Sequence, residues 1–321
     1  MKMQQNIYHE SKKMNRFLNK KLIIFFILVI GFTLILKAQE FKYYTQYMFN
    51  GLAINPAYAG TSDFLNITGD IRKQWVGIDG APLTQTVSAH SPIMNDQFGL
   101  GLIIINDMIG IISQQEFSMN YSYKINFTSY DLFLGMKVGF NYYRTQYDQL
   151  LLDNERDDDF QDNVRAFLPV AGLGVYMKAT NYYAGISIPH LYKFVASNNK
   201  DININLHRLV FVTGGYIYRI NSDWTVKPSV LTKANFGSIF EFDLNTNIYF
   251  KEDYCFGISY KSLNSLAFIL EIGLYKSLFL SYSYDLATTS LIHCQSGTHE
   301  ISFNIYLDRK GKTKIVNPRY F

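Results

Sequence analysis

Phe117-Ser118-Met119-Asn120-Tyr121-Ser122-Tyr123-Lys124-Ile125 alternates without a break. Phe, Met, Tyr, Tyr and Ile stand at the odd positions, and Ser, Asn, Ser and Lys at the even ones. Successive side chains of a strand point to opposite faces, so this period of two describes a strand with one apolar and one polar face. The pattern returns at 240–248, where Phe240, Phe242, Leu244 and Ile248 oppose Glu241, Asp243, Asn245 and Asn247. It returns at 278–285, with Leu278, Leu280, Tyr282 and Tyr284 against Ser281, Ser283 and Asp285, and at 300–305, with Ile301, Phe303 and Ile305 against Glu300, Ser302 and Asn304. A carboxylate on the second face needs water, which favours a strand between lipid and a wet lumen over a strand in a two-sheet core.

Extended along the chain, this reading predicts strands at 64–75, 83–91, 98–106, 115–126, 131–144, 167–179, 181–189, 207–220, 223–233, 239–250, 254–263, 265–275, 277–286 and 298–307. Most are long enough to cross a membrane at a tilt. The expected fold class is all-β: a single transmembrane β-barrel of about fourteen antiparallel strands occupying 63–308. An even count suits a closed bacterial barrel with both ends on one side. Pro228 counts against the ninth segment, because proline removes a ladder donor, and the eighth alternates poorly; twelve strands or a broken pair is the alternative. The connectors 92–97, 127–130, 180, 221–222, 251–253 and 276 are short, whereas 145–166, 190–206 and 287–297 are long. Barrels of this kind have short periplasmic turns and long outer loops, which places the second group outside.

Composition agrees. Aromatic residues make up 16% of the chain, charged residues only 17%, and the mean hydropathy is −0.03, too low for a helical membrane protein. Lys12, Lys13, Arg16, Lys20 and Lys21 precede the apolar run Leu22–Leu36. That run is short for a spanning helix and reads as an export signal over 1–38, cut after Ala38. Residues 1–38 carry a net charge of +6, so the chain's +4 becomes about −2 without them, and the basic pI argues for no nucleic-acid partner. Cys255 and Cys294 fall near opposite ends of the expected barrel and so remain unbridged.

No stretch carries recognisable catalytic chemistry. The acidic run Asp153–Asp162 begins like a calcium loop but has Asp158 where glycine is required and Val164 where the closing glutamate belongs, so it reads as a solvated outer loop. His90, His190, His207, His293 and His299 show no zinc spacing, and neither a nucleophile elbow nor a phosphate loop is present. No enzyme, cofactor or metal is expected. Gly99-Leu100-Gly101 lies inside a strand and reads as close packing. Trp75 ends the first strand as an interfacial aromatic. Arg72, on the opposite face, points into the lumen, toward Glu241, Asp243 or a partner segment.

The stretch before the strands has its own character. Tyr44–Gly60 reads Y-T-Q-Y-M-F-N-G-L-A-I-N-P-A-Y-A-G. Asn55-Pro56 is a turn signal, and Ala57, Ala59 and Gly60 allow close approach of a backbone or ring. Tyr47, Asn50 and Asn55-Pro56-Ala57-Tyr58-Ala59-Gly60 resemble the opening signature of the PorP/SprF family, outer-membrane proteins of the type IX secretion and gliding systems. Arg72-Lys73-Gln74-Trp75 with Gly80-Ala81-Pro82-Leu83-Thr84, and Tyr182–Pro189 with Gly185 and Pro189, resemble further family blocks. The ending Pro318-Arg319-Tyr320-Phe321 is similar to the family's proline-arginine-phenylalanine end, with Tyr320 inserted.

The resemblance implies an outer-membrane component of type IX protein secretion in a Gram-negative bacterium. Such a protein assists delivery or anchoring of specific surface proteins, such as gliding adhesins. Its partners would be outer-membrane lipid, a secreted cargo protein and other secretion components. A passive porin-like channel for small molecules is the alternative, and a barrel protease or lipase a distant third. Residues 39–62 form a lead-in segment expected to cover or enter the lumen from the periplasmic side as a plug. Asp308, Arg309, Lys310, Lys312 and Lys314 cannot face lipid cheaply, so 309–321 is expected to be a basic periplasmic tail that docks on a periplasmic partner.

Overall fold

The computed structural model describes residues 44–149, 163–191, 209–235, 239–262, 264–275 and 277–308. The export signal at 1–38, the acidic run 153–162 and the tail 309–321 with Pro318, Arg319 and Phe321 lie outside the described residues. The strands are β1 (Leu65–Lys73), β2 (Leu83–Ile93), β3 (Phe98–Ile109), β4 (Ile112–Asn126), β5 (Tyr130–Thr145), β6 (Val164–Ala179) and β7 (Tyr182–Ile188). They continue with β8 (Leu209–Tyr216, resumed at Tyr218–Arg219), β9 (Trp224–Asn235), β10 (Ile239–Phe250), β11 (Tyr254–Lys261), β12 (Ser265–Tyr275), β13 (Leu278–Ala287) and β14 (Thr298–Leu307). Each pairs antiparallel with its sequence neighbours, and β14 pairs with β1 from Leu65↔Leu307 to Lys73↔His299, closing a ring of fourteen strands. Closure gives every one of these strands a neighbour on both sides, as a bilayer requires.

The alternation read from the sequence is the alternation of the wall. In β4, Phe117, Met119, Tyr121 and Tyr123 are exposed on the outer face while Ser118, Asn120 and Ser122 are buried inside. In β10, Leu244 and Ile248 face out, and Asp243, Asn245 and Asn247 face in. An outer surface this apolar is stable only against lipid. Aromatic rings cluster at both ends of the outer face. Tyr142 and Phe167 stand 4.8 Å apart toward one end, and Phe127 with Tyr130 (4.7 Å) and Trp224 with Phe250 (4.6 Å) toward the other. Such rings belong at the two membrane–water interfaces.

Strands β3, β4 and β6 run longer than their apolar periodicity. Strand β4 begins at Ile112 rather than 115, β6 at Val164 rather than 167, and β3 continues to Ile109 rather than 106. The added pieces, Asp107-Met108-Ile109, Ile112-Ser113-Gln114 and Val164-Arg165-Ala166, do not continue the apolar/polar alternation cleanly, even though their ladders are intact. The doubtful eighth and ninth segments resolve as full members of the ring. Pro228 sits within β9 opposite Thr246 of β10. On the β8 side the ladder pauses between Gly215↔Ser229 and Tyr218↔Val226, opposite the proline, and resumes in the same register. On its other side β8 stays paired through the gap, where Ile217 N–H donates to the Asn181 carbonyl at 2.6 Å, one step beyond Tyr182↔Tyr216. The missing donor thus interrupts the ladder without ending the strand.

The connections at one end of the barrel are all short: 94–97, 127–129, 180–181, 220–223, 251–253 and 276–277. The long ones, including 74–82 and 288–297, lie at the opposite end, although tight links such as 110–111 and 262–264 occur there too. These ends are called the short-turn and long-loop ends below. Two long loops are tied together, with Val76 N–H on the Gly297 carbonyl (2.9 Å) and Ser296 N–H on the Val76 carbonyl (2.7 Å). Cys255, buried at the start of β11, and Cys294, exposed in the 288–297 loop, are unbridged and lie toward opposite ends.

Leu244, about half exposed in the middle of β10, provides a test of the lipid-facing surface. Leu244→Arg is expected to cost about 2–4 kcal/mol, the penalty for a midplane cation, whereas Leu307→Arg at a strand end should cost about 0–1 kcal/mol. Urea titration of the protein refolded into lipid vesicles measures both; equal costs would contradict the assigned membrane band.

Candidate functional site

Residues 45–62 are buried inside the ring, apart from the partly exposed Ala53. Their local form follows from the sequence. Asn55 is extended and its Oδ1 accepts the Ala57 N–H at 2.9 Å, capping a single 3-10 turn, Pro56–Tyr58, that begins at proline. A second short turn, Gly51–Ala53, precedes it. Neither turn is long enough to be stable alone, so the segment takes its conformation from the wall.

The wall is built to receive it. Gly99 of β3, Ser122 of β4, Gly135 of β5, Gly174 of β6 and Ser187 of β7 are successive cross-strand partners and form one rung of small residues. The lead-in segment lies along this rung residue by residue. Ser187 Oγ donates to the Ile54 carbonyl at 2.6 Å, and Ser122 Oγ to the Ala59 carbonyl at 2.5 Å. A Cβ on Gly174 would overlap Asn55 Oδ1, one on Gly135 the Ala57 amide, and one on Gly99 the Ala59 carbonyl. Asn55 Nδ2 also donates to the Val175 carbonyl at 3.0 Å, and a Cβ on Gly185 would stand 2.9 Å from that nitrogen. Gly60 has φ +70°, a conformation that favours glycine, and lies against the Gly99 backbone; its N–H donates to His90 Nδ1 at 3.2 Å.

Aromatic packing fixes the rest. Tyr58 meets His90 and Tyr176 edge-on, at 5.3 and 5.4 Å between centroids. Leu52, Ala57, Tyr58 and Ala59 pack with inward-facing Phe133, Tyr176 and Tyr183. Tyr47, Met48, Phe49 and Ile54 pack with Ile217, Leu231, Tyr249, Cys255 and Ile269. Thus the inner face is apolar where the segment presents rings and polar elsewhere.

Four charges gather at the start of the segment. Arg72 of β1 donates through Nη2 to Asp285 (2.9 Å) and through Nη1 to Glu300 (2.8 Å). Lys261 of β11 reaches Asp285 at 2.6 Å. Glu300 accepts the backbone N–H groups of Thr45 (2.8 Å) and Gln46 (2.9 Å), one on each carboxylate oxygen. The Thr45 hydroxyl contacts Asp285 at 2.7 Å and Arg72 at 2.6 Å, and Gln46 takes a hydrogen bond from Ser281 at 2.5 Å. Two cations and two amide donors therefore face two anions in a site where all four charged side chains are buried, and the buried Asp70 of β1 lies beside Glu300. The expected pairing of Arg72 with Glu241 or Asp243 is incorrect. Asp243 lies 3.4 Å from Lys233, and Arg72 contacts β13 and β14, the latter being its neighbour in the closed ring. At Asp285 and Glu300 the water expected to meet inward carboxylates is replaced by packed cations and amides.

Of the residues singled out in the sequence, Tyr47, Asn55, Pro56, Ala57, Gly60, Arg72 and Gly185 converge in this interior. Gln74, Trp75 and Pro82 instead shape the loop after β1: Gln74 N–H donates to the Pro82 carbonyl (2.9 Å), and Trp75, at φ +47°, donates its N–H to Thr298 Oγ1 (3.2 Å). Pro189 follows the end of β7. Sequence reasoning did not single out Asp285, Glu300, Lys261, Gly135 or Gly174 as site residues. Their only local signal was an inward position in an alternating strand.

Fold and interior together define an outer-membrane β-barrel whose lumen holds its own N-terminal segment. The chain belongs to the PorP/SprF family of type IX secretion system membrane proteins, whose family model matches residues 36–305. No curated protein matches it. Among solved structures it is similar to the outer membrane protein Omp33 of Acinetobacter baumannii, at 8% identity, covering 77% of this chain and 99% of that one with a TM-score of 0.47. It is also similar to the CymD monoaromatic hydrocarbon channel (11% identity, 84% and 95% covered, TM-score 0.48) and to the P. putida toluene transporter TodX (10%, 80% and 94%, 0.48). These likenesses are too loose to bear on function.

Gly135→Ala is expected to destabilise the folded barrel by about 1–3 kcal/mol, the cost of overpacking, and to make 44–62 more accessible to protease. Gly69→Ala, at a glycine whose added Cβ would meet nothing within 4 Å, serves as the control and should change neither. Arg72→Ala should cost about 3–5 kcal/mol, because it removes one of the two cations facing Asp285 and Glu300. Heat-modifiable gel mobility and urea titration report both effects.

Proposed function

We propose that this type IX secretion component holds or delivers a particular secreted protein at the cell surface, without enzymatic activity and not as an open pore. The observation that carries this reading is the filled lumen. A ring of fourteen strands is wider than its own inward side chains fill, and here 45–62 is buried in the interior and hydrogen-bonded to the wall. A diffusion channel needs a continuous wet path, which this packing opposes. The long-loop end is proposed to face outward, in keeping with the usual arrangement of such barrels.

Purified protein in planar bilayers is expected to show no steady channel of the size an open barrel of this width gives. Deleting the gene should remove one surface protein, or a small set, while general permeability to small solutes stays unchanged. A porin-sized conductance from the intact chain, combined with normal surface display in the deletion strain, would favour the small-molecule channel instead.

A further inference from the structure

At the long-loop end of β5 and β6 the apolar outer face gives way to two arginines. In β5 the even positions face outward, with Leu134, Met136, Val138 and Phe140 exposed; in β6 the odd ones do, with Phe167, Leu173 and Val175 exposed. Arg144 and Arg165 continue these two series and are direct cross-strand partners, next to the last residue of β5 and the second residue of β6. Side chains placed directly opposite start about 4.5–5.5 Å apart, and like charges there destabilise a sheet unless something compensates them. Among the described residues no carboxylate stands at ion-pair distance from either arginine. Arg144 Nη2 donates to Gln146 Oε1 at 2.6 Å, a neutral acceptor that leaves the charge uncompensated, and Arg165 is exposed. Ser113 of β4, the partner of Arg144 on its other side, adds a hydroxyl to the same rung.

The next rung toward the membrane centre is aromatic. Tyr142 and Phe167, also partners, stand 4.8 Å apart; Phe140 lies 6.3 Å from Phe167 and stacks on Phe117 at 5.7 Å. Two residues along a strand span about 6–7 Å. The guanidinium groups therefore stand just beyond a belt of rings, where lipid headgroups begin. A guanidinium grips phosphate through paired N–H donors, and two side by side can hold one phosphate between them. A phosphate monoester carries a charge of about −1.5 to −2 at neutral pH, which two arginines balance. We infer that Arg144 and Arg165 form a binding site for a membrane lipid with a phosphate monoester in its headgroup, whose apolar body lies against Phe117, Phe140, Tyr142 and Phe167. With the long-loop end outward, the occupant is the phosphorylated glycolipid of the outer leaflet; this choice of leaflet rests on the orientation proposed above. The acidic run Asp153–Asp162, which joins the two strands in sequence, is the competing source of negative charge.

The double variant Arg144→Gln/Arg165→Gln is made in the full chain. Lys73→Gln, which removes a cation at the long-loop end of β1, is the control. Each is refolded into phosphatidylcholine vesicles, and heat-modifiable gel mobility verifies the barrel. Electron spin resonance then measures how strongly spin-labelled phosphatidic acid, a phosphate monoester, and spin-labelled phosphatidylglycerol, an anionic diester, are held at the protein surface relative to phosphatidylcholine. The intact chain is expected to prefer phosphatidic acid several-fold and phosphatidylglycerol less. The double variant should lose the preference and Lys73→Gln should keep it. A double variant that keeps it, an equal loss in Lys73→Gln, or equal retention of the two anionic lipids would overturn the site. So would an intact chain with no preference; if the preference then appears once Asp157, Asp158 and Asp159 are changed to asparagine, the chain's own acids occupy the arginines. Protein extracted from outer membranes in mild detergent should carry phosphorylated glycolipid, depleted several-fold in the double variant. If the vesicle preference stands but the extracted protein carries only glycerophospholipid, the outward orientation fails and the site itself holds.

Discussion

A closed ring of fourteen strands encloses more space than its own side chains can fill. Small barrels solve this with large inward residues, and wide ones leave a water channel. This protein fills the space with its own chain, and much of the remaining structure follows. The inner wall must be thin where the segment's backbone passes, hence the rung of Gly99, Ser122, Gly135, Gly174 and Ser187. It must be apolar where the segment places rings, hence Phe133, Tyr176, Tyr183 and Tyr249 on a face that would otherwise be polar. The small residues of Asn55-Pro56-Ala57-Tyr58-Ala59-Gly60 and the small residues of the rung are two halves of one close contact.

The polar half of the interior obeys a second constraint. A carboxylate taken out of water is costly unless cations and hydrogen-bond donors surround it. Asp285 and Glu300 find Arg72 and Lys261 on the wall, and Glu300 finds two backbone amides on the segment. The amides of Thr45 and Gln46, outside any regular ladder, need acceptors just as much. The segment and the wall therefore satisfy each other, and this favours a single seating of the chain over a range of positions in a wet pore. Because Arg72 lies on β1 and Glu300 on β14, the same cluster also joins the two strands whose pairing closes the ring.

The sequence by itself determined that the chain forms strands, roughly where, and which side chains face lipid. Side-chain direction in a strand has a period of two residues, so a window of eight or nine residues contains the whole signal. It failed where that signal fades: at 112–114, where Ser113 and Gln114 put polar side chains on both faces, and at Pro228, whose missing donor interrupts a ladder that tertiary pairing sustains from either side. The Asn-Pro turn and the in-strand Gly99 were also legible, the first from backbone restriction and the second from its place in an apolar run. What Gly99 packs against was not.

Only the tertiary structure decided which inward residues meet. Arg72, Asp285 and Glu300 are separated by up to 228 residues and come together because the ring closes β14 onto β1 in one register. Alternation tells that Glu241, Asp243, Asp285 and Glu300 do not face lipid; it says nothing about which of them shares a height and a side of the lumen with Arg72. The same holds for the path of 44–62. Its turns are local, but its course from the short-turn end toward the long-loop end depends on strand tilt, which carries one rung from the start of β3 to the middle of β6. Tilt and closure are properties of the assembled ring, and no short window of residues encodes them.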